Sequence, residues 1–321
     1  MVSIINKRAK FIDNFNEPID ERFLEIFEKV DEIIFGESFN QKLANIPSNI
    51  TSIKFGKNFN QPIDLENLPD GIQKIHFGQN FNQPIQNTNG FPILPNTIKE
   101  IRFGEHFNQP LHSFEGHMLL PMSLLYLSFG NDFNQPLCNR NGKALLPDGI
   151  VEIYFGDSFD QEIGFTNIIS LKSHSLLPSS IMILKFGIDF NRPINNMIPQ
   201  HTTITFSTNF ETFGEDPTIE SVEPTTFLPS GLMSLTFGDF FNQPIRSVFG
   251  KNLLPEQLTF IEFGEDFNRP ICDDNESFLP EFVEELTLGE DYTKTILHLP
   301  ESLKKLIIGG KEVNIRSFLG I

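Results

Sequence analysis

Tryptophan is absent from this 321-residue sequence, tyrosine occurs three times and cysteine twice, against 35 phenylalanines. With the other large aromatics missing, one apolar ring serves wherever bulk is needed, so the same structural place is being filled many times. Basic residues are short as well: 24 Lys and Arg face 42 Asp and Glu, a formal charge of −18. Nucleic-acid binding draws most of its affinity from basic groups that displace counterions, so nucleic acid is not expected as a partner, although a local basic patch is still allowed. No stretch approaches the ~18 uninterrupted apolar residues of a membrane span, and the N-terminus MVSIINKRAK lacks a signal-like apolar run. The expectation is a soluble, cytoplasmic protein with no membrane partner. No G-x-G-x-x-G, G-x-S-x-G or phosphate-binding loop occurs, so the chain is expected to be no enzyme and to hold no cofactor.

What remains is ordinary globular material, 39% hydrophobic and 21% charged, arranged in an unusual way. FGQNFNQPI (77–85) returns as FGKNFNQPI (55–63), FGEHFNQPL (103–111), FGNDFNQPL (129–137), FGDFFNQPI (237–245) and FGEDFNRPI (263–271). A catalytic motif is needed once, whereas one spread over the chain belongs to the architecture. The Phe-Gly pairs begin at Phe35, Phe55, Phe77, Phe103, Phe129, Phe155, Phe186, Phe237 and Phe263, with weaker copies at Phe206, Leu288 and Ile308. Steps of 20 to 31 residues between them fall in the range of solenoids, whose units stack only on their neighbours.

Each unit reads approximately L-P-x-x-I-x-x-I-x-F-G-x-x-F-N-Q-P-I. Its I-x-x-I-x-F portion alternates inward and outward as a short strand and matches the strand segment of leucine-rich repeats. The prediction is a mainly β fold: a leucine-rich-repeat-like right-handed solenoid of about twelve repeats with one parallel sheet and few helices. The Gly is expected at a close backbone approach, and both prolines in the irregular part of the coil. An Asn falls just past each strand (Asn40, Asn60, Asn82, Asn108, Asn134, Asn191, Asn242 and Asn268), where its amide would satisfy backbone groups inside the turn, one at each level. The residues that vary in number lie between Q-P-I and L-P, so loops should project from one side. Asp20 before ERFLEIFEKV, with Phe23, Phe27 and Val30 at helical spacing, predicts one short capped helix. The expected organisation is an N-terminal cap over 1–29, including the half-repeat FIDNFNEPI (11–19), a solenoid over 30–310 and a C-terminal cap over 311–321.

Cys138 and Cys272 each follow a motif copy. Five levels apart, at ~4.8 Å per level, they would be roughly 25 Å from one another, too far for a disulfide. Two free thiols fit a reducing compartment. Asn49-Ile-Thr51 and Asn275-Glu-Ser277 fit the glycosylation sequon and read as coincidence. His112 and His117 beside His106 form the only histidine cluster, which reads as a solvated loop rather than a metal site.

F-N-Q-P-I with L-P and F-G at these offsets resembles the FNIP repeat family, a relative of leucine-rich repeats found in social amoebae and giant viruses. The resemblance covers about residues 11–310 and would place a viral member in the host cytoplasm. Three copies depart from it: FGDSFDQEI (155–163), FSTNFETFG (206–214) and LGEDYTKTI (288–296). A distortion of the stack is expected over 200–225, where EDPTIESVEP reads as an acidic loop. Family members often carry an F-box ahead of the repeats, which would make them substrate-recognition subunits of a ubiquitin ligase; only about ten residues precede the first half-repeat here. The resemblance transfers no catalytic residue.

Function is therefore sought in the positions that vary. The x residues of I-x-x-I-x-F form three columns on the exposed sheet face. Early units contribute Lys54, Lys74, His76, Lys99 and Arg102, a basic group on an acidic protein. Later ones contribute Leu125, Tyr126, Val151, Tyr154, Met182, Ile183, Met233 and Phe260, an apolar area suited to a protein partner of unknown identity. The plainer reading is that these are β-formers covered by lateral packing. A structural protein packing into homo-oligomers is the other expectation kept open.

Overall fold

Inward and outward residues alternate just before each Gly, so every unit makes one short strand, and these strands stack. The computed structural model describes residues 2–44, 46–166, 173–196 and 225–319. An antiparallel hairpin opens the chain, β1 (Val2–Ile5) and β2 (Arg8–Phe11), turned by Asn6 and Lys7 at φ 51° and 60°. A 3-10 turn (Glu21–Phe23) and α1 (Leu24–Phe27) follow, with the Asp20 carboxylate accepting from the Arg22 N–H.

Then come β3 (Glu32–Ile34), β4 (Ser52–Lys54), β5 (Lys74–His76), β6 (Glu100–Arg102), β7 (Tyr126–Ser128) and β8 (Glu152–Tyr154), one per unit. A side hairpin of β9 (Gly164–Thr166) and β10 (Ser173–Ser175) leaves the stack. The levels resume with β11 (Ile183–Lys185), β12 (Ser234–Thr236), β13 (Phe260–Glu262), β14 (Glu285–Leu288) and β15 (Lys305–Ile308). The antiparallel β16 (Lys311–Val313) and α2 (Ile315–Leu319) close the described chain.

Among the described residues the main sheet has 14 strands in the order β1 to β8, then β11 to β16. The strands β2 to β8 and β11 to β15 all pair in parallel, and the register matches repeat position to repeat position: Ile53, Ile75, Ile101 and Leu127 lie side by side. This is the parallel solenoid read from the repeat, with two differences in its membership. β11 pairs directly with β12, and the Phe186 N–H donates to the Thr236 carbonyl at 2.9 Å, so the ladder has no level between them. The copy at Phe206 and the distortion expected over 200–225 lie almost wholly outside the described residues. At the other end, the half-repeat FIDNFNEPI supplies a level of its own, because β2 pairs in parallel with β3 and Phe11, Phe15 and Ile19 are buried. Cys138 and Cys272 are thus four levels apart rather than five, about 19 Å at ~4.8 Å per level, and both are free thiols.

The interior is a double column of phenylalanine. Within a unit the two rings stack closely, with centroids 3.8 Å apart in Phe103–Phe107 and in Phe129–Phe133. Between levels they stack again, at 5.7 Å for Phe103–Phe129 and 6.2 Å for Phe107–Phe133. A flat, apolar ring is the side chain that can repeat against its own copy at this spacing and still fill the layer. In the LGEDYTKTI copy Tyr292 takes the second ring position, 6.2 Å from Phe267.

The asparagines do something different from what their place in the turn suggests. They are half-buried or, at Asn191, exposed, and each bonds to the next level instead of inside its own turn. Asn82 Oδ1 accepts from the Asn108 backbone N–H at 3.0 Å and from Gln109 Nε2 at 2.9 Å; Asn108 Oδ1 serves Asn134 and Gln135 in the same way. This explains the Gln beside the Asn, which grips the asparagine of the preceding level. The ladder runs from Asn16 through Asn40, Asn60, Asn82, Asn108, Asn134, Asp160, Asn191, Asn242 and Asn268 to Thr293.

The departure at FGDSFDQEI is compensated. Asp160 Oδ1 accepts where an Asn would, and the next unit replaces Gln with Arg192, whose Nη2 lies 2.9 Å from Asp160 Oδ2. Loops leave the coil at one point of the repeat, as the length variation implied, in small bridged hairpins at Gln86–Pro92, His112–Met118, Cys138–Ala144 and Arg246–Asn252. Asn49 Nδ2 donates to the Phe27 and Val30 carbonyls at 2.8 and 2.6 Å, so the first sequon's amide is engaged inside the protein.

Candidate interaction face on the sheet

The register that aligns the interior also aligns the outward side chains, so the three columns are real rows of neighbours. The thirteen residues singled out from the sequence all lie on this face, and all are half-buried or exposed. In the outermost column, the Val151 N–H donates to the Leu125 carbonyl, Met182 to Val151 and Met233 to Met182. Leu125, Val151, Met182 and Met233 therefore sit on four successive levels, with Leu125, Met182 and Met233 exposed by 45, 42 and 41%. The absence of a level between β11 and β12 makes this row continuous, since Met182 and Met233 are 51 positions apart in the chain. The adjacent column holds Tyr126, Glu152, Ile183, Ser234 and Phe260, and Tyr154 lies in the third; the two tyrosine rings stand 5.4 Å apart.

The basic group is less simple than its cations suggested. Glu100 faces Lys74 across the β5–β6 register and lies among the cations: Arg102 Nε is 2.8 Å from its carboxylate, His76 Nε2 2.9 Å and Lys74 Nζ 3.1 Å. Picking only cations from the columns missed this residue, which the same pattern exposes between Lys99 and Ile101. Burial works against the charge on Glu100, but the hydrogen bonds from Arg102, His76 and Lys74 outweigh it and bring its carboxyl from 4.5 to about 2. Burial also lowers the His76 pKa, against the pull of Glu100 and with the help of the Arg102 and Lys54 charges. The Arg102 guanidinium lies over the Tyr126 ring at 4.5 Å, joining the basic half to the apolar half. Lys54 and Lys99 are exposed and make no ion pair among the described residues.

A carboxyl whose folded pKa is depressed contributes stability that is present above its unfolded value and lost as pH falls toward the folded one. The stability advantage of the native chain over Glu100→Gln should thus shrink as pH drops from 4.5 toward about 2. Urea midpoints of both proteins across that range measure it, and a difference independent of pH contradicts the assignment.

The three histidines of the expected cluster are engaged singly. His106 Nδ1 is 2.8 Å from Asp132 Oδ2, His117 Nε2 is 3.2 Å from Glu115, and His112 Nδ1 is 2.8 Å from the Ser113 carbonyl. Among the described residues no three His, Cys, Asp or Glu side chains converge on a point that could hold a metal ion. No helix there is long and apolar enough to cross a membrane.

One parallel strand per repeat, a ring-filled interior and an outward face that changes from level to level define a leucine-rich-repeat-like solenoid. FNIP repeat matches fall at residues 28–58, 39–65, 59–106, 91–132, 173–209 and 224–266, more than half the sequence, and the chain belongs to the FNIP repeat family. Among solved structures it is similar to the giant-virus protein CroV588, described as a novel circular leucine-rich-repeat protein, with 31% identity and a TM-score of 0.68. That likeness covers 96% of this chain, which spans 41% of the CroV588 chain. No curated protein matches.

Proposed function

We propose that the chain is a non-catalytic scaffold that binds a protein partner through the exposed face of its sheet. The observation that carries this reading is the unbroken apolar row Leu125, Val151, Met182 and Met233, flanked by Tyr126 and Tyr154. Outward residues of a sheet need not be apolar to hold the fold, because the interior is already filled by the inward ones. A contiguous apolar strip with tyrosine and methionine, bordered by charge, has the composition of an interface core. Changing Tyr126, Tyr154 and Met182 together to Ser should abolish recovery of the proteins that co-purify with the native chain from its own cells. The melting temperature should stay within a few degrees. Unchanged recovery with a folded variant refutes the reading. Ligase components among the recovered proteins would assign the scaffold to ubiquitin transfer.

A second reading is assembly through the loop edge, favoured by Phe114 and Phe249, exposed by 86 and 72% at hairpin tips. The circular relative, of which this chain spans only a part, supports it too. A monomer by solution mass measurement rules it out.

A further inference from the structure

We propose that the occupant of the sheet face is an extended acidic–apolar protein segment, with Asp and Glu side chains over β4 to β6 and apolar side chains over β7 to β13. This rests on the interaction reading above and names the chemistry of the partner.

On the levels β2 to β6 the outward cations Arg8, Lys10, Lys54, Lys74, Lys99 and Arg102 face only Asp31, Glu32 and Glu100, in a chain whose total charge is −18. Among the described residues Lys10, Lys54 and Lys99 have no carboxylate within ion-pair distance, so this end of the face attracts carboxylates from outside.

Arg102 is also held ready for a carboxylate. Its Nε is held by Glu100 and its guanidinium plane by the Tyr126 ring, while its terminal amines make no hydrogen bond among the described residues. A guanidinium held in this way presents a fixed donor pair, the geometry that reads a carboxylate with both oxygens. Glu100 fills one side of the cluster as an internal carboxylate and would compete with an incoming one.

The apolar row starts at Leu125 and Tyr126, on the level directly after Arg102. From β4 to β13 the face spans seven inter-strand steps, roughly 34 Å at ~4.8 Å each, which an extended segment of about ten residues covers at ~3.3 Å per residue. Both recognition modes thus lie within reach of one short peptide.

The test is fluorescence polarisation with labelled twelve-residue peptides that join six Asp and Glu to six apolar residues, made in both orders. One control replaces the acidic half with Lys and another replaces the apolar half with Ser. The native chain should bind an acidic–apolar peptide at least tenfold more tightly than either control, with affinity falling as salt is raised. Lys54→Glu with Lys99→Glu alters two exposed, unpaired side chains and should weaken binding about tenfold or more. Glu100→Gln should tighten it several-fold, an effect that a merely structural role for Glu100 would not give. Equal binding of the Lys control, indifference to the Lys54 and Lys99 changes, or no binding of any peptide overturns the proposal. So does a concentration-dependent doubling of mass that the same two changes abolish, because a second acidic copy of the chain would then be the occupant. If the peptides fail while the Tyr126, Tyr154 and Met182 variant still loses its cellular partner, the interaction face stands and only this occupant falls.

Discussion

Gly130→Ala is expected to destabilise the chain by about 3 kcal/mol or more and to split its unfolding into two transitions. A Cβ at Gly130 would stand 2.0 Å from the Gly104 oxygen, 2.4 Å from the Gly104 carbonyl carbon and 2.6 Å from the Glu105 Cα. All three are backbone atoms of the preceding level, so no side chain can swing aside. Relief requires β6 and β7 to separate, which loosens the Phe103–Phe129 stack and the Asn108–Asn134 bond together. Stability in a solenoid is a sum of units and nearest-neighbour interfaces, so a damaged interface in mid-stack uncouples the two halves. Thermal unfolding followed by circular dichroism, with hydrogen exchange to localise the break, gives the result. Gly231→Ala is the control: the nearest atom to its Cβ would be the Ser179 oxygen at 4.0 Å, and a neutral or slightly stabilising effect is expected there. Equal loss at both positions contradicts the close-approach argument.

Phe133→Ala should cost about 3–5 kcal/mol, the range for emptying a fully buried aromatic site. Its ring is completely buried and contacts Phe129 at 3.8 Å, Phe107 at 6.2 Å and Phe159 at 6.1 Å. Neighbouring levels are held apart by the Asn ladder and the backbone pairing, so they cannot collapse into the gap. Chemical denaturation of this variant beside Phe114→Ala, whose ring is 86% exposed, separates burial from residue type. The second change should stay within about 0.5 kcal/mol of the native chain. A loss under ~1 kcal/mol at Phe133 would mean that the layer repacks and that the rings are interchangeable filler.

These two expectations were legible in the repeat itself, because a Gly and a Phe that return at fixed spacing have their environment set by their own copies. The Asn ladder was legible only in part. Its members could be named from the sequence, but not that Asn108 serves Asn134 of the next level instead of its own turn, nor that Asp160 and Arg192 reproduce the same bond with charged groups. On the outer face, the columns could be read from the strand pattern. What each cation touches could not, since Glu100 acquires its role only when the register sets it opposite Lys74 and within 3 Å of both His76 and Arg102.

By itself the sequence determined the parallel strand of each unit, the ring-filled interior and the side from which the loops leave, since all of these follow from local periodicity repeated with little change. The tertiary structure decided which units are neighbours. Pairing of β11 with β12 across a long insertion depends on where two strands meet, not on any local pattern, and it joins Met182 to Met233. It also decided how much of the basic patch stays free, because ion pairing acts over a few ångströms and two of the three cations on Glu100, Lys74 and His76, lie more than twenty residues from it in the chain.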